Sequence, residues 1–181
     1  MSWKLDTAHS EILFSARHMM ISKVRGQFEK FEVEAELDLE NPENTSIVAR
    51  IAADSINTRD PQRDGHLKSP DFLNASEYPY LTFKSTKVEL LDEEHARLTG
   101  DLTIQGVTRP VAMVVEFTGT AKSPWGTTSY GFGATATLSR KDWGLTWNVA
   151  LETGGWLVSD QIEISIQVEF IKQEQPVATP A

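Results

Sequence analysis

The stretch FEVEAELDL, residues 31–39, alternates apolar and acidic side chains without a break. Phe31, Val33, Ala35, Leu37 and Leu39 fall on one face, and Glu32, Glu34, Glu36 and Asp38 on the other. A period of two marks a β-strand with one buried face, because successive side chains point to opposite sides of a sheet. IEISIQVEF, residues 162–170, repeats the pattern, with Ile162, Ile164, Ile166, Val168 and Phe170 on the apolar face. Weaker alternation runs through 10–18, 47–56, 80–88, 96–104, 111–117 and 130–138. These segments predict eight strands, and no segment longer than about three turns carries a helical stripe. The expected class is all-β.

Eight antiparallel strands must hide their edges by closing into a barrel or folding into a sandwich. The apolar faces are rich in small residues: Ala16, Ala35, Ala49, Ala53, Ala134 and Ala136. Small side chains can fill a tapering core, but so many on separate strands would leave a long barrel underfilled. Empty apolar volume forfeits dispersion contacts, so a cavity is expected to hold a ligand. Two connections are too long for hairpins. In residues 58–79 the segment SPDFLN predicts a short helix after the third strand, with Ser69 as N-cap and Pro70 at its first position. Residues 139–160 hold Trp143, Trp147 and Trp156, and a long loop so rich in tryptophan reads as functional rather than disordered. One domain over 1–171 is expected, with 172–181 as a flexible tail.

Composition narrows the functions. Twenty-six acidic residues against 17 basic ones give a net charge of −9, which opposes non-specific binding to nucleic acid or to an anionic membrane, both of which need a basic surface. There is no cysteine, hence no disulfide, thiolate nucleophile or cysteine-held metal. No run approaches the ~20 apolar residues of a membrane span. The N-terminal MSWKLDTAHSEILF has no basic segment leading into a long apolar one, so no signal peptide is expected and the expected compartment is the cytoplasm.

The histidines are the first candidates for chemistry. His18 shares the inward parity of Ile12, Phe14 and Ala16, and Met19 and Met20 follow it with flexible, polarizable side chains. A buried histidine bonded to backbone is the commoner arrangement; a polar handle at one end of an apolar cavity is the more informative one. Arg63, Asp64, His66 and Asp71 cluster in the first long loop, but no HxH or HExxH spacing supports a metal site. No GxSxG turn or phosphate-cradling glycine motif is present.

Four segments in order, HSEILFSARHMMISKVRGQF, RDGHLKSPDFLNASEYPYLTF, GDLTIQGVTRPV and SRKDWGLTW, resemble the hallmarks of the YceI-like family. The similarity runs from about Trp3 to Phe170. The resemblance implies an extended, eight-stranded, lipocalin-like antiparallel β-barrel whose lumen binds a polyisoprenoid, an isoprenoid quinone or another long-chain amphiphile. It implies binding for transport, storage or sensing rather than catalysis, a homodimer, no cofactor beyond the bound lipid, and at most transient membrane contact. On that reading the expected wall comprises Phe14, His18, Met19, Met20, Phe31, Phe83, Met113, Phe132, Ala134, Ala136, Trp143, Trp147 and Trp156. Two other classes compete. One is an enzyme acting on a hydrophobic substrate with His18 or His66 as general base; the other is an interaction module with a solid core.

Overall fold

A computed structural model describes residues 3–152, 154–155 and 157–173. Eleven strands form one antiparallel sheet. They are β1 (Trp3–Leu5), β2 (Glu11–His18), β3 (Ser22–Phe28), β4 (Phe31–Glu36), β5 (Ser46–Ala52), β6 (Ile56–Asn57), β7 (Tyr80–Leu90), β8 (His95–Ile104), β9 (Val107–Lys122), β10 (Thr128–Ser139) and β11 (Gln161–Lys172). Among the described residues one α-helix, α1, spans Pro61–Lys68.

Eleven strands reduce to eight staves once three bends are recognised. β1 and β2 both pair with β11, at its end and its middle, across the single 3-10 turn Thr7–His9. β3 runs on into β4, and β5 into β6 through the 3-10 turn Ala53–Ser55. Those two bent staves pair with each other along their length: Phe28 opposes Ile56, Phe31 opposes Ile51, and two backbone bonds bridge the bend, Glu29 N–H to the Ser55 carbonyl and Ala52 N–H to that of Lys30. The circuit then passes through β7, β8, β9, β10 and β11 and returns to β2. The first alternating segment therefore pairs with the last. Bulges at Ser85/Lys87 and Gly131/Phe132 add the coiling that closure needs.

Three strands exceed the sequence expectation: β1, β3 and β6. The predicted 31–39 strand stops at Glu36, and the predicted 47–56 strand breaks at Ala53. The helix lies in the expected loop but one step earlier. Asp60, not Ser69, is its N-cap, accepting from the amides of Gln62 and Arg63, with Pro61 in the first turn. Ser69 instead ends the helix, its amide bonded to the His66 carbonyl. Lys172, placed in the tail by the sequence, is the last residue of β11, opposite Trp3, and 174–181 lie outside the described residues.

The buried side chains form two clusters rather than one. The larger lies under α1 and the second long loop, around Ile51, Ile56, Leu73, Ile104, Trp143 and Leu145. The smaller joins Trp3, Leu5, Ala35 and Phe170. Among the described residues no large side chain is less than 2 % exposed. A solid core of this size would contain several, so the interior is hollow.

Candidate functional site

The staves enclose an apolar cavity of about 1260 Å³, beyond the ~300–1,000 Å³ of common ligand pockets. Its wall comes from the inward parity of nearly every stave. Ile12, Phe14, Ala16 and His18 line it from β2, Ala134, Ala136 and Leu138 from β10, and Ile162, Ile164, Ile166 and Val168 from β11. Ala16 and Ala49 line it too, whereas Ala35 and Ala53 are packed inside the buried clusters. Two aromatic rings are kept against the wall by glycines. Phe14 folds over Gly26, its cross-strand partner, and Phe83 over Gly100; a Cβ at either glycine would collide with the ring.

The two ends of the cavity differ in charge. At the α1 end the lining includes His18, Arg63, His66 and Arg140 beside Asp60, with the outward-facing Arg17 only bordering the rim; at the other it includes Asp38, Asp92, Glu93, Glu94 and His95. The His18 imidazole is half-buried and makes no side-chain hydrogen bond among the described residues. His66 does: its Nε2 lies 2.9 Å from Asp71 Oδ2, and its ring meets Trp147 and Phe72 edge-on at 4.5 and 5.1 Å. Among the described residues the imidazole has an orienting carboxylate, and no serine or threonine hydroxyl bonds to it.

Arg140 organises the α1 end. Its side chain is 4 % exposed, and its guanidinium donates to four carbonyls: Ser159 (2.9 Å), Leu145 (2.6 Å), Trp147 (2.9 Å) and Val158 (3.4 Å). Burial lowers its pKa from the usual value, and Asp160, 3.7 Å away, opposes that shift. The second long loop is thus pinned to one cation, which sets Trp143 and Trp147 over the lumen. Trp143 Nε1 also donates to the Leu102 carbonyl at 2.9 Å.

At the opposite end Asp92 and His95 bracket the β7–β8 turn. The Asp92 carboxylate accepts from the Glu94 and His95 amides and from the His95 ring. The Glu94 amide, then the imidazole, hold its pKa below the usual carboxylate value, while the carboxylate raises that of His95. On the outer face of the sheet Asp6, His9 and Glu169 bring donor atoms within 4.8 Å of one another, and none of the three lines the cavity.

Of the residues expected in the wall, Phe14, His18, Phe83, Met113, Phe132, Ala134, Ala136, Trp143 and Trp147 line the cavity. Met19 and Met20 do not. They form the β2–β3 turn, 43 % and 63 % exposed, because the strand ends at His18 and its parity ends with it. Phe31, at the start of β4, packs against both buried clusters and borders a surface cleft with Arg50 and Tyr80 rather than the lumen. Trp156 lies outside the described residues. Arg140 was missed by sequence reasoning although a signal existed: it continues the inward parity of Ala134, Ala136 and Leu138.

A family model of the YceI-like domain matches residues 3–170. A UPF0312 protein of Staphylococcus aureus strain MSSA476 is 36% identical over 170 residues, covering 93% of this chain and 96% of its own. Among solved structures, the Campylobacter jejuni YceI protein is 32% identical with a TM-score of 0.76, covering 87% of this chain and 90% of that one. A polyisoprenoid binding domain from Saccharophagus degradans, implicated in plant cell wall breakdown, has a TM-score of 0.69 at 14% identity, covering 96% and 99%. At that identity the last likeness speaks for the fold alone.

Proposed function

Because the chain belongs to the YceI-like family, we propose that its lumen binds one long-chain amphiphilic lipid, a polyisoprenoid or an isoprenoid quinone, for transport or storage. The observation that carries this is the lumen itself: about 1260 Å³, walled by apolar side chains and polar only at its ends. Such a space suits a chain with one polar terminus and little else. Each methylene moved from water into it contributes about 0.8 kcal/mol, so a long ligand needs few polar contacts to bind tightly. The head group belongs at the α1 end, where His18 offers an imidazole without a side-chain hydrogen bond among the described residues and the arginines favour an anion or a hydrogen-bond acceptor. The acidic end would repel an anion. The Saccharophagus degradans neighbour, named for polyisoprenoid binding, supports the ligand class only as far as a shared fold can. The reading includes a homodimer and no cofactor.

The test is organic extraction of the purified protein followed by mass spectrometry. Recovery of a long-chain isoprenoid near one per chain is expected, and a lumen empty of lipid after expression beside an isoprenoid source would defeat the reading. A graded series of prenols should bind more tightly with each added unit until the lumen is full.

The His66–Asp71 pair favours a second reading, an enzyme with His66 as general base toward a hydrophobic substrate. Turnover of long-chain esters that His66→Gln removes would support it, and inertness toward them would return His66 to a structural role.

A further inference from the structure

We propose that the β2–β3 turn, Met19–Met20–Ile21, is a docking tip that seats the α1 end of the lumen against an anionic lipid bilayer. The turn is unusual in three respects. It is strained: Met19 and Met20 both adopt left-handed backbone, at φ 53° and 62°, and the Ile21 amide bonds back to the His18 carbonyl at 3.1 Å. The bond closes a β-turn within a three-residue hairpin loop, and its two successive left-handed positions favour asparagine, aspartate and glycine because a side chain is penalised there. It is apolar and exposed, with Ile21 at 80 % beside Met20 at 63 % and Met19 at 43 %. A turn free to choose its residues would carry neither the strain nor the greasy surface, so the methionines and isoleucine answer to something outside the fold.

Its position says what that is. His18, the residue before the tip, lines the lumen, and the Met19 amide bonds the carbonyl of Leu157, which lines it too. The Met20 thioether rests against Gly155. The tip therefore stands on the rim of the mouth, tied to the loop that frames it. Just behind it, on the outer face of the same hairpin, lie Arg17, Lys23 and Arg25. Lys23 is neutralised by Glu163 at 3.2 Å, whereas Arg17 and Arg25 form no ion pair among the described residues. An apolar tip backed by unpaired arginines, on a chain of net charge −9, is complementary to an anionic membrane surface and to little else that is common. The acidic residues Asp38, Asp92, Glu93 and Glu94 gather at the opposite end and would turn that end away. Insertion of the three side chains would bring the mouth to the head-group layer. Lipid binding in the lumen would give the tip its use, and the proposal rests on that reading for purpose, but the surface can be tested with an empty lumen.

The experiment is co-sedimentation of the delipidated full chain with phosphatidylcholine vesicles holding about 30 mol% phosphatidylglycerol. Wild type should bind these at least about fivefold more tightly than pure phosphatidylcholine, and ~0.5 M salt should weaken the binding. The triple variant Met19→Asn/Met20→Gly/Ile21→Thr gives the turn its preferred residues. It should melt about 2–4 °C higher, yet bind vesicles about tenfold more weakly. Ile21→Asp alone should lose binding similarly without altering the turn. Trp125, 88 % exposed at the β9–β10 turn on the far end, is the control, and Trp125→Ser should bind as wild type. Equal binding by the tip variants, no binding by wild type, or a loss confined to Trp125→Ser would overturn the proposal. So would a wild-type dimer in sedimentation that the tip variants dissolve while vesicles stay unbound, since the tip would then serve a second copy. None of these results depends on what the lumen holds, so failure here leaves the extraction result standing.

Discussion

His18 is the residue at which a ligand and the fold compete least. Its imidazole lines the lumen and has no side-chain hydrogen bond to lose among the described residues. His18→Ala should leave the melting temperature nearly unchanged and weaken binding of a long-chain prenol by one hydrogen bond, roughly 0.5–1.5 kcal/mol. Affinity for the matching hydrocarbon, which has no head group, should not move. An equal loss for both ligands would make His18 part of the wall and nothing more. His95 differs because it is already paired. Asp92 raises its pKa above the ordinary 6.5, and the His95 ring helps lower that of Asp92 below the ordinary 3.8. A raised histidine stabilises fully below its unfolded value and loses that contribution as pH rises through its folded one. A lowered carboxylate stabilises fully above its unfolded value and loses that as pH falls through its folded one. The pair therefore contributes fully between about pH 3.8 and 6.5. An NMR titration of His95 should give a midpoint above the ordinary histidine value, returning toward it in Asp92→Asn; an unmoved midpoint would show that the turn does not hold the pair in solution.

Among the elements, the second long loop depends most on one side chain. Arg140→Met would keep the bulk of the side chain and strip the Ser159, Leu145 and Trp147 carbonyls of its donors, while Val158 keeps the Asn148 amide. Each that stays dry should cost roughly 1–3 kcal/mol, so a drop in melting temperature of several degrees is expected, with amide exchange accelerated most in 144–159. Protection that persists in that loop would mean that Trp143 and Leu145 hold it without the cation. How the elements read in the sequence follows from similar local causes. FEVEAELDL and IEISIQVEF announced themselves because every inward position is apolar. SKVRGQF alternates too, with Val24, Gly26 and Phe28 inward, but glycine occupies the central inward site so that the Phe14 ring can cover it, and the apolar count fell below notice. The helix was misplaced because Asp60–Pro61 and Ser69–Pro70 offer the same cap-and-proline signal nine residues apart. What decides between them is tertiary: Leu73 and Phe72 are buried after the second proline, and the chain there must turn down onto the cluster. The charged ends of the lumen could not be read at all, because His18, Arg63 and Arg140, from distant stretches of chain, come to one end only when the staves close.

For the molecule as a whole, the alanines were the legible trace of a hollow interior, and they are also where it can be blocked. Ala134→Trp with Ala136→Trp would put two indoles on adjacent inward positions of β10. Lipid retention should be lost while the barrel persists, since the bulk enters volume a ligand would otherwise fill, at a cost of ~1–3 kcal/mol if the rings crowd each other. Unchanged lipid content in the folded double variant would place the ligand elsewhere. One feature of the barrel bears on what it can hold. Where β1 passes β4, no ladder joins them among the described residues; the Trp3 indole donates to the Leu37 carbonyl at 3.1 Å and side chains do the rest. The circumference is closed there by one side-chain hydrogen bond and by the packing of the smaller cluster, whereas the other staves are zipped. At that end the tube resembles a cuff more than a pipe, held by side-chain packing that can give while every rung of the sheet stays made. A container of that kind needs no single girth of cargo.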